Sequence, residues 1–133
     1  MNDPAIAALL VWTGLHVILM LALALNVSRH RFQSEKEGYD ERRLTKAIRA
    51  HGNNIEYVPI ILFCIALLVV FGSTAAWVHG LGAALFVSRL LHAHGIQQFT
   101  RLPKTRVIGN FGTWGVMLGT AIALIYQGLG GLD

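Results

Sequence analysis

A polar stretch at residues 49–59, Arg-Ala-His-Gly-Asn-Asn-Ile-Glu-Tyr-Val-Pro, runs directly into a long apolar segment. On a helix, Arg49, Asn53 and Glu56 fall at positions i, i+4 and i+7, so they share one face. This face carries a cation, an amide and an anion into a segment that reads as a membrane span. Ionisable groups are costly at membrane depth, so they usually face a protein interior or a water-filled cavity. The pattern predicts the wall of a binding site for a small, polar, zwitterionic ligand.

The same face has a simpler interpretation, in which no ligand is involved. Glu56 would pair with an arginine only to neutralise a buried charge and to hold two helices together. Spacing alone leaves both interpretations open. The neighbouring polar residues His51, Asn54 and Tyr57 favour a site, because one structural ion pair does not require so many polar groups.

The composition indicates a membrane protein rather than a soluble domain. The chain has 133 residues, of which 54% are hydrophobic and 14% are charged, whereas a soluble domain carries about 25% charged residues. A span needs about 20 mainly apolar residues, and four apolar stretches meet or approach that length: about 5–27, 55–71, 75–93 and 107–127. The second is short, and we expect the polar stretch before it to extend it, so the predicted spans are about 5–28, 44–71, 75–95 and 106–127. They leave no room for a soluble domain. The sequence therefore predicts an all-α membrane protein, a bundle of four transmembrane helices within one integral membrane domain over residues 1–133.

The positive charges are concentrated in two connections, between the first and second stretches and between the third and fourth. Cytoplasmic loops collect Lys and Arg, so we expect both basic connections in the cytoplasm and both termini outside. We expect residues 29–43 to form a solvated loop. The net charge of +4 does not predict nucleic-acid binding, because topology already explains where the charges lie.

The third stretch carries Arg89 and His92, three residues apart and therefore on one helix face. Glu56 is the only acidic residue inside any predicted span, so we expect a contact between Arg89 and Glu56. His92 and His94 are two apart and do not share a face. No Cys-x-x-Cys or His-Glu-x-x-His pattern occurs, and the sequence predicts no metal site.

The fourth stretch begins with a cation and continues with glycines. Arg106 opens the span and can point into the bundle, where a fixed cation near a thiol stabilises the thiolate. Gly112, Gly115 and Gly119 follow along the same helix, the last two in small-xxx-small spacing. That spacing predicts a close approach of helix backbones.

The pattern Arg-Ala-His-x-Asn-x-x-Glu-Tyr-x-Pro at the start of the second span resembles the signature of the MAPEG superfamily. These are membrane-associated proteins in eicosanoid and glutathione metabolism. The resemblance implies a homotrimer of four-helix protomers, with glutathione bound between protomers near the cytoplasmic side. It also implies a membrane-bound glutathione transferase, which conjugates or reduces hydrophobic electrophiles that arrive from the lipid. The compact chain looks most like a bacterial member, located in the inner membrane.

The resemblance assigns roles to individual residues. The positions that hold glutathione or shape its site are matched on the second helix by Arg49, Asn53, Glu56 and Tyr57. On the third helix, Arg89 matches an arginine of the family and His92 matches a ligand-contacting His or Tyr. At the end of the first helix, Arg29 or Arg31 is similar to a basic position that meets a glutathione carboxylate.

The resemblance also suggests a catalytic residue and shows one departure. Arg106 is the candidate for the arginine that stabilises the glutathione thiolate. Four residues after His92, the eicosanoid enzymes often place a tyrosine, whereas this chain has Ile96. One hydroxyl contact is therefore missing, which argues against activity on eicosanoid substrates.

Two other functions remain open at this stage. The first is a non-catalytic member of the same superfamily that binds lipid or glutathione as an accessory protein. The second is a small proton-coupled transporter that uses Glu56 as its coupling carboxylate. Conjugation activity would separate the transferase from the accessory protein, and pH-driven substrate flux without glutathione would indicate the transporter.

Overall fold

The computed structural model describes residues 3–130, and every regular element among them is an α-helix. The helices are α1 (Pro4–Ser34), α2 (Glu41–Val70), α3 (Ala75–Gln97) and α4 (Lys104–Gly128). Short connections at 35–40, 71–74 and 98–103 join them. The predicted all-α fold with four helices is confirmed. We call the end of the bundle that holds connections 35–40 and 98–103 the basic end.

Local sequence explains where the helices begin. Asp3 caps α1 by accepting a hydrogen bond from the Ala5 amide at 2.8 Å, and Pro4 occupies the first helical position. Asp40 caps α2 by accepting a hydrogen bond from the Arg42 amide at 3.0 Å. The Arg42 guanidinium also donates to this carboxylate, which lowers the pKa of Asp40 below its ordinary value. These caps fix the helix starts that position the rest of the bundle.

α2 and α3 form the centre of the bundle, since each of them packs against all three other helices. α1 and α4 occupy opposite sides, and they do not pack against each other anywhere in residues 3–130. Large apolar side chains cover the outside, such as Leu10, Phe63 and Leu118, each more than half exposed. An apolar exterior is what a lipid environment requires, while the buried residues include both apolar clusters and polar side chains such as Arg89 and His92.

Three helices, α1, α2 and α4, are long and apolar enough to cross a membrane. α3 is less apolar because it carries Arg89 and several histidines. Two of these polar side chains, Arg89 and His92, are buried inside the bundle. α3 must nevertheless cross the membrane with its neighbours, because otherwise the connection between α3 and α4 would have to span the membrane itself. The six-residue connection 98–103 reaches at most about 21 Å, less than the ~30 Å hydrocarbon thickness.

The predicted solvated loop over residues 29–43 is wrong at both ends. α1 continues to Ser34 and α2 begins at Glu41, so only six residues connect them. Charged and amide residues such as Arg and Gln are good helix formers, and their polarity does not end a helix. A hydrogen bond of 2.8 Å between the Tyr39 hydroxyl and His30 Nδ1 ties the connection back to α1.

The expected close approach at Gly115 and Gly119 is also wrong within this chain, because a Cβ at either position would meet nothing within 4 Å. The close contact between α3 and α4 lies nearer the basic end. A Cβ at Gly109 would lie 2.5 Å from the Ser88 carbonyl oxygen and 2.9 Å from the His92 Cα. The sequence shows where the glycines of α4 lie along the helix, but the rotation of α4 about its axis decides which of them face α3.

Candidate functional site

A pocket of about 450 Å³ opens between α2, α3 and α4 near the basic end. We call it the polar pocket. It is lined by Ile48, Arg49, Gly52, Asn53, Glu56, Tyr57, His92, Ile96, Arg106 and Asn110. Its volume is within the usual range for small-molecule sites, roughly 300–1,000 Å³.

The charged face of α2 forms one wall of this pocket. Arg49, Asn53 and Glu56 all line it, together with Tyr57 one residue further on. Arg49 and Glu56 are exposed, whereas Asn53 is partly buried. The helical spacing therefore predicted correctly that these side chains share one cavity.

The charges that line the pocket are not neutralised by one another. Among residues 3–130, the ion pair between Arg42 and Asp40 is the only one within 4.0 Å. The carboxylate of Glu56 and the guanidinium groups of Arg49 and Arg106 therefore face the pocket without an ionic partner in the described chain. The simpler interpretation, in which Glu56 only neutralises a buried arginine, does not fit this geometry.

The expected contact between Arg89 and Glu56 is wrong. Arg89 is fully buried, and its Nη2 donates to Asn53 Oδ1 at 2.8 Å. Its Nε donates to Asn54 Oδ1 at 3.3 Å, and its Nη1 donates to Thr113 Oγ1 at 3.4 Å. At about 100° per residue, Glu56 points some 160° away from Asn54, whose face of α2 packs against α3. Neutral oxygens, rather than a carboxylate, therefore hold this guanidinium.

Arg89 lies behind the pocket wall and is not part of the lining. Asn53 connects Arg89 to the pocket, because it lines the pocket and also accepts the shortest hydrogen bond that Arg89 donates. The Arg89 guanidinium also lies 5.9 Å from the centre of the Tyr57 ring. Arg89 thus fixes two residues of the wall from behind.

His92 lines the pocket although it is almost fully buried, with 3% of its surface exposed. Neither of its ring nitrogens has a hydrogen-bond partner in the described part of the chain. A buried polar group without a partner is costly. The His92 ring forms part of the pocket wall, but both of its ring nitrogens are buried in the single chain and do not reach a molecule in the pocket directly.

The start of α4 closes the other side of the pocket. Arg106 lines it, and Gly95 of α3 packs against the backbone of Arg106 so closely that no side chain fits between them. Asn110, one turn further along α4, also lines the pocket, and the sequence prediction missed it. The i+4 spacing from Arg106 was the available signal. Ile96 lines the pocket at the position where the resemblance leads one to expect a tyrosine.

A smaller cavity of about 150 Å³ adjoins the polar pocket. The two share Arg49, Ile96 and Arg106, and the smaller one adds the cations Lys46 and Arg101. This end of the site is therefore strongly positive, which favours a ligand with carboxylate groups.

The structure of a single chain does not bring Arg29 or Arg31 to the pocket. Both are exposed on the last turns of α1, and neither belongs to the pocket lining. α1 packs on the side of the bundle opposite α4. A role for these arginines at the ligand stays a prediction that requires a second copy of the chain.

A separate apolar cavity of about 330 Å³ lies at the opposite end of the bundle, and the sequence did not predict it. Its lining includes Ile65 and Leu68 of α2 and Tyr126 of α4. Nine residues of α2 separate Glu56 from Ile65, which is about 14 Å of helix rise. The two cavities are therefore distinct sites.

Comparison with known proteins identifies the family. The family model for MAPEG proteins matches residues 9–126, which is most of the chain. The chain belongs to the MAPEG family. This MAPEG protein is also similar to the inner membrane protein YecN of Escherichia coli, in strain K12 and in an O6:H1 strain. Each relative is 31% identical over 120 residues, covering 87% of this chain and 88% of the relative. An inner-membrane location agrees with the prediction, and the relatives' name states no reaction.

Proposed function

We propose that this MAPEG protein is a membrane-bound glutathione transferase, which conjugates or reduces hydrophobic electrophiles with the thiolate of glutathione. One observation carries the proposal. The polar pocket combines two arginines, Arg49 and Arg106, with one carboxylate, Glu56, and none of these groups is in an ion pair within residues 3–130. Glutathione carries two carboxylates and one ammonium group, so its charges complement those of the pocket.

The arrangement of charges suggests how the tripeptide lies. Glu56 would accept hydrogen bonds from the glutathione ammonium group. The carboxylates would lie toward Arg49 and toward the adjoining cationic cavity with Lys46 and Arg101. Arginine suits this task because its guanidinium binds a carboxylate through two parallel hydrogen bonds.

The chemical step requires an ionised thiol, because the thiolate is the nucleophile. Arg106 would stabilise the thiolate after the proton leaves to water. The thiolate sulfur then forms a bond to the electrophilic carbon of the second substrate, and the leaving group of that substrate departs with its electron pair. The electrophile would come from the lipid that surrounds the bundle.

We also propose that the protein acts as a homotrimer. Arg29 and Arg31 lie outside the polar pocket of their own chain. They can meet a glutathione carboxylate only if a second copy brings its α1 to this pocket. A site between protomers would explain why the pocket is open on one side in the single chain.

A titration of the purified protein with glutathione tests the proposal, with thiolate formation followed by ultraviolet absorbance. Arg49→Ala and Glu56→Ala are the test variants. Lys36→Ala is the matched control, since Lys36 is exposed in the connection 35–40 and lines neither cavity. We expect the wild type and the control to form bound thiolate and the two test variants to lose most of it. If all four behave alike, the pocket is assigned wrongly.

The accessory-protein alternative is supported by one observation, the apolar Ile96 in place of a hydroxyl-bearing residue in the lining. Conjugation of a chlorodinitrobenzene by the wild type separates the two functions. Bound glutathione with no conjugation of any tested electrophile would favour a binding protein over a transferase.

A further inference from the structure

A second cationic feature lies at the basic end, outside the polar pocket. Three cations surround the ring of Phe99 in the connection between α3 and α4. Lys46 Nζ lies 4.3 Å from the ring centre, and the guanidinium carbons of Arg42 and Arg43 lie at 5.4 and 5.9 Å. The three cations repel one another, and their cation–π attraction to a single exposed ring offsets only part of the free energy of this repulsion.

A cavity of about 120 Å³ lies beside this ring. It is lined by His30, Arg43, Lys46, Gln97 and Phe99, and we call it the headgroup cavity. It brings together the end of α1, the start of α2 and the end of α3. Every cation that lines it comes from one of these helix ends, so the bundle itself builds the cavity.

Most other polar groups at the headgroup cavity are already occupied. Gln97 accepts a hydrogen bond from Asn26 and donates one to the Ala93 carbonyl, and His30 is bonded to the Tyr39 hydroxyl. Arg42 beside it is paired with a carboxylate, but Arg43 is not.

Lys46 donates to the Gln98 carbonyl, which satisfies one of its three donors. Neither Arg43 nor Lys46 has a carboxylate within 4.0 Å among residues 3–130. The described part of the chain therefore supplies neither cation with a carboxylate in direct contact.

Exposed apolar side chains lie at the same end of the bundle as the cavity, Phe99 in its lining, and they indicate where an anion would come from. Phe99 is 53% exposed, Leu102 is 70% exposed and Phe32 is 76% exposed, all at the basic end. These side chains need an apolar environment, which a membrane surface provides beside its charged headgroups. Cations next to exposed apolar groups are typical of surfaces that bind anionic lipid.

We propose that the headgroup cavity binds the phosphate of an anionic phospholipid through Arg43 and Lys46. The glycerol and acyl chains of the lipid would then extend along Phe99 and into the bilayer. Lys46 also lines the cavity that adjoins the polar pocket, whereas Arg43 and Phe99 line neither. Arg43 is therefore the residue that tests this proposal separately from the transferase function.

Native mass spectrometry can test this proposal with the wild-type protein and two lipids of the same chain length, phosphatidylglycerol and phosphatidylcholine. We expect the wild type to prefer phosphatidylglycerol. In Arg43→Gln, loss of one cation at the membrane surface should weaken that lipid's binding about fivefold. Lys36→Gln removes a cation from the same end but outside the cavity, and it should keep the full preference. Equal binding of both lipids by the wild type would overturn the proposal.

Two further measurements test whether the charge of Arg43 is what matters and whether the cavity binds free anions rather than lipid. Arg43→Lys retains the charge and should retain the preference, and a loss as large as in Arg43→Gln would indicate a folding defect and overturn the assignment. Inorganic phosphate should not displace phosphatidylglycerol when added at equal concentration. If phosphate alone displaces it, the cavity is a site for free anions and the lipid assignment fails.

Discussion

Replacement of Gly95 by alanine should disturb the polar pocket, although Gly95 itself does not line it. An added Cβ would lie 2.6 Å from the Cβ and 2.7 Å from the Cα of Arg106, and it would also meet the Arg106 amide nitrogen. Carbon atoms pack at about 3.5–4.0 Å. Both sides of this contact are close to backbone and cannot rotate away, so the start of α4 must shift by about 1 Å.

The shift has two measurable consequences. Overpacking of this kind typically costs about 1–3 kcal/mol of stability, so the apparent unfolding temperature in detergent should fall. Arg106 moves with its backbone, and a displacement of about 1 Å of a group that acts on the reacting atom can cost about a hundredfold in rate. We therefore expect Gly95→Ala to lose most glutathione conjugation and most thiolate absorbance, even at temperatures where it remains folded.

Gly80→Ala is the matched control for this prediction. Gly80 lies on the same helix, and a Cβ there would meet nothing within 4 Å. Alanine is a better helix former than glycine by about 1 kcal/mol, so this variant should be at least as stable as the wild type and fully active. If Gly95→Ala melts and binds glutathione as Gly80→Ala does, the close contact between α3 and α4 does not position Arg106.

Three other substitutions test the assigned roles separately. Arg106→Ala should reduce the thiolate absorbance of bound glutathione near pH 7, because a cation about 4 Å from a thiolate contributes roughly 4 kcal/mol at an effective dielectric constant of 20; unchanged absorbance would remove Arg106 from the chemistry. Glu56→Gln should weaken glutathione by about 2 kcal/mol but leave N-acetylglutathione unaffected, and an equal loss for both ligands would argue against an ammonium contact. Asn53→Leu should lower the free energy of unfolding by about 2 kcal/mol, since the buried Arg89 loses its closest acceptor; chemical unfolding in detergent measures this, and a neutral result would mean that water replaces the amide.

Helical periodicity made part of this site predictable from sequence. The spacing of Arg49, Asn53 and Glu56 places them on one face whatever the rest of the fold does, and all three line the polar pocket. The four-helix fold followed in the same way from the lengths of the apolar stretches. These features depend on local geometry, which the sequence specifies directly.

The contacts between helices could not be predicted in the same way. The partner of Arg89 depends on how α2 is rotated against α3, and a rotation of half a turn separates Asn54 from Glu56. The same uncertainty led to Gly115 being predicted in a close contact that actually lies at Gly109. A single sequence gives the faces of each helix but not which faces meet.

The way in which Arg89 is held leaves the carboxylate of Glu56 without an ionic partner within residues 3–130. A chain that needed only to neutralise a buried arginine would use Glu56, the one acidic residue within the predicted spans. Instead, Arg89 is held by neutral oxygens, and Glu56 remains directed at the pocket.

The region around the pocket therefore keeps three guanidinium groups, those of Arg49, Arg89 and Arg106, against one carboxylate. Glutathione with an ionised thiol has the opposite excess, because two carboxylates and a thiolate face one ammonium group. Substituting Asn53 by aspartate would place a carboxylate on Arg89 and reduce this positive excess. The polar pocket of a single chain thus carries an excess of positive charge, which is why we expect an anionic ligand to bind there.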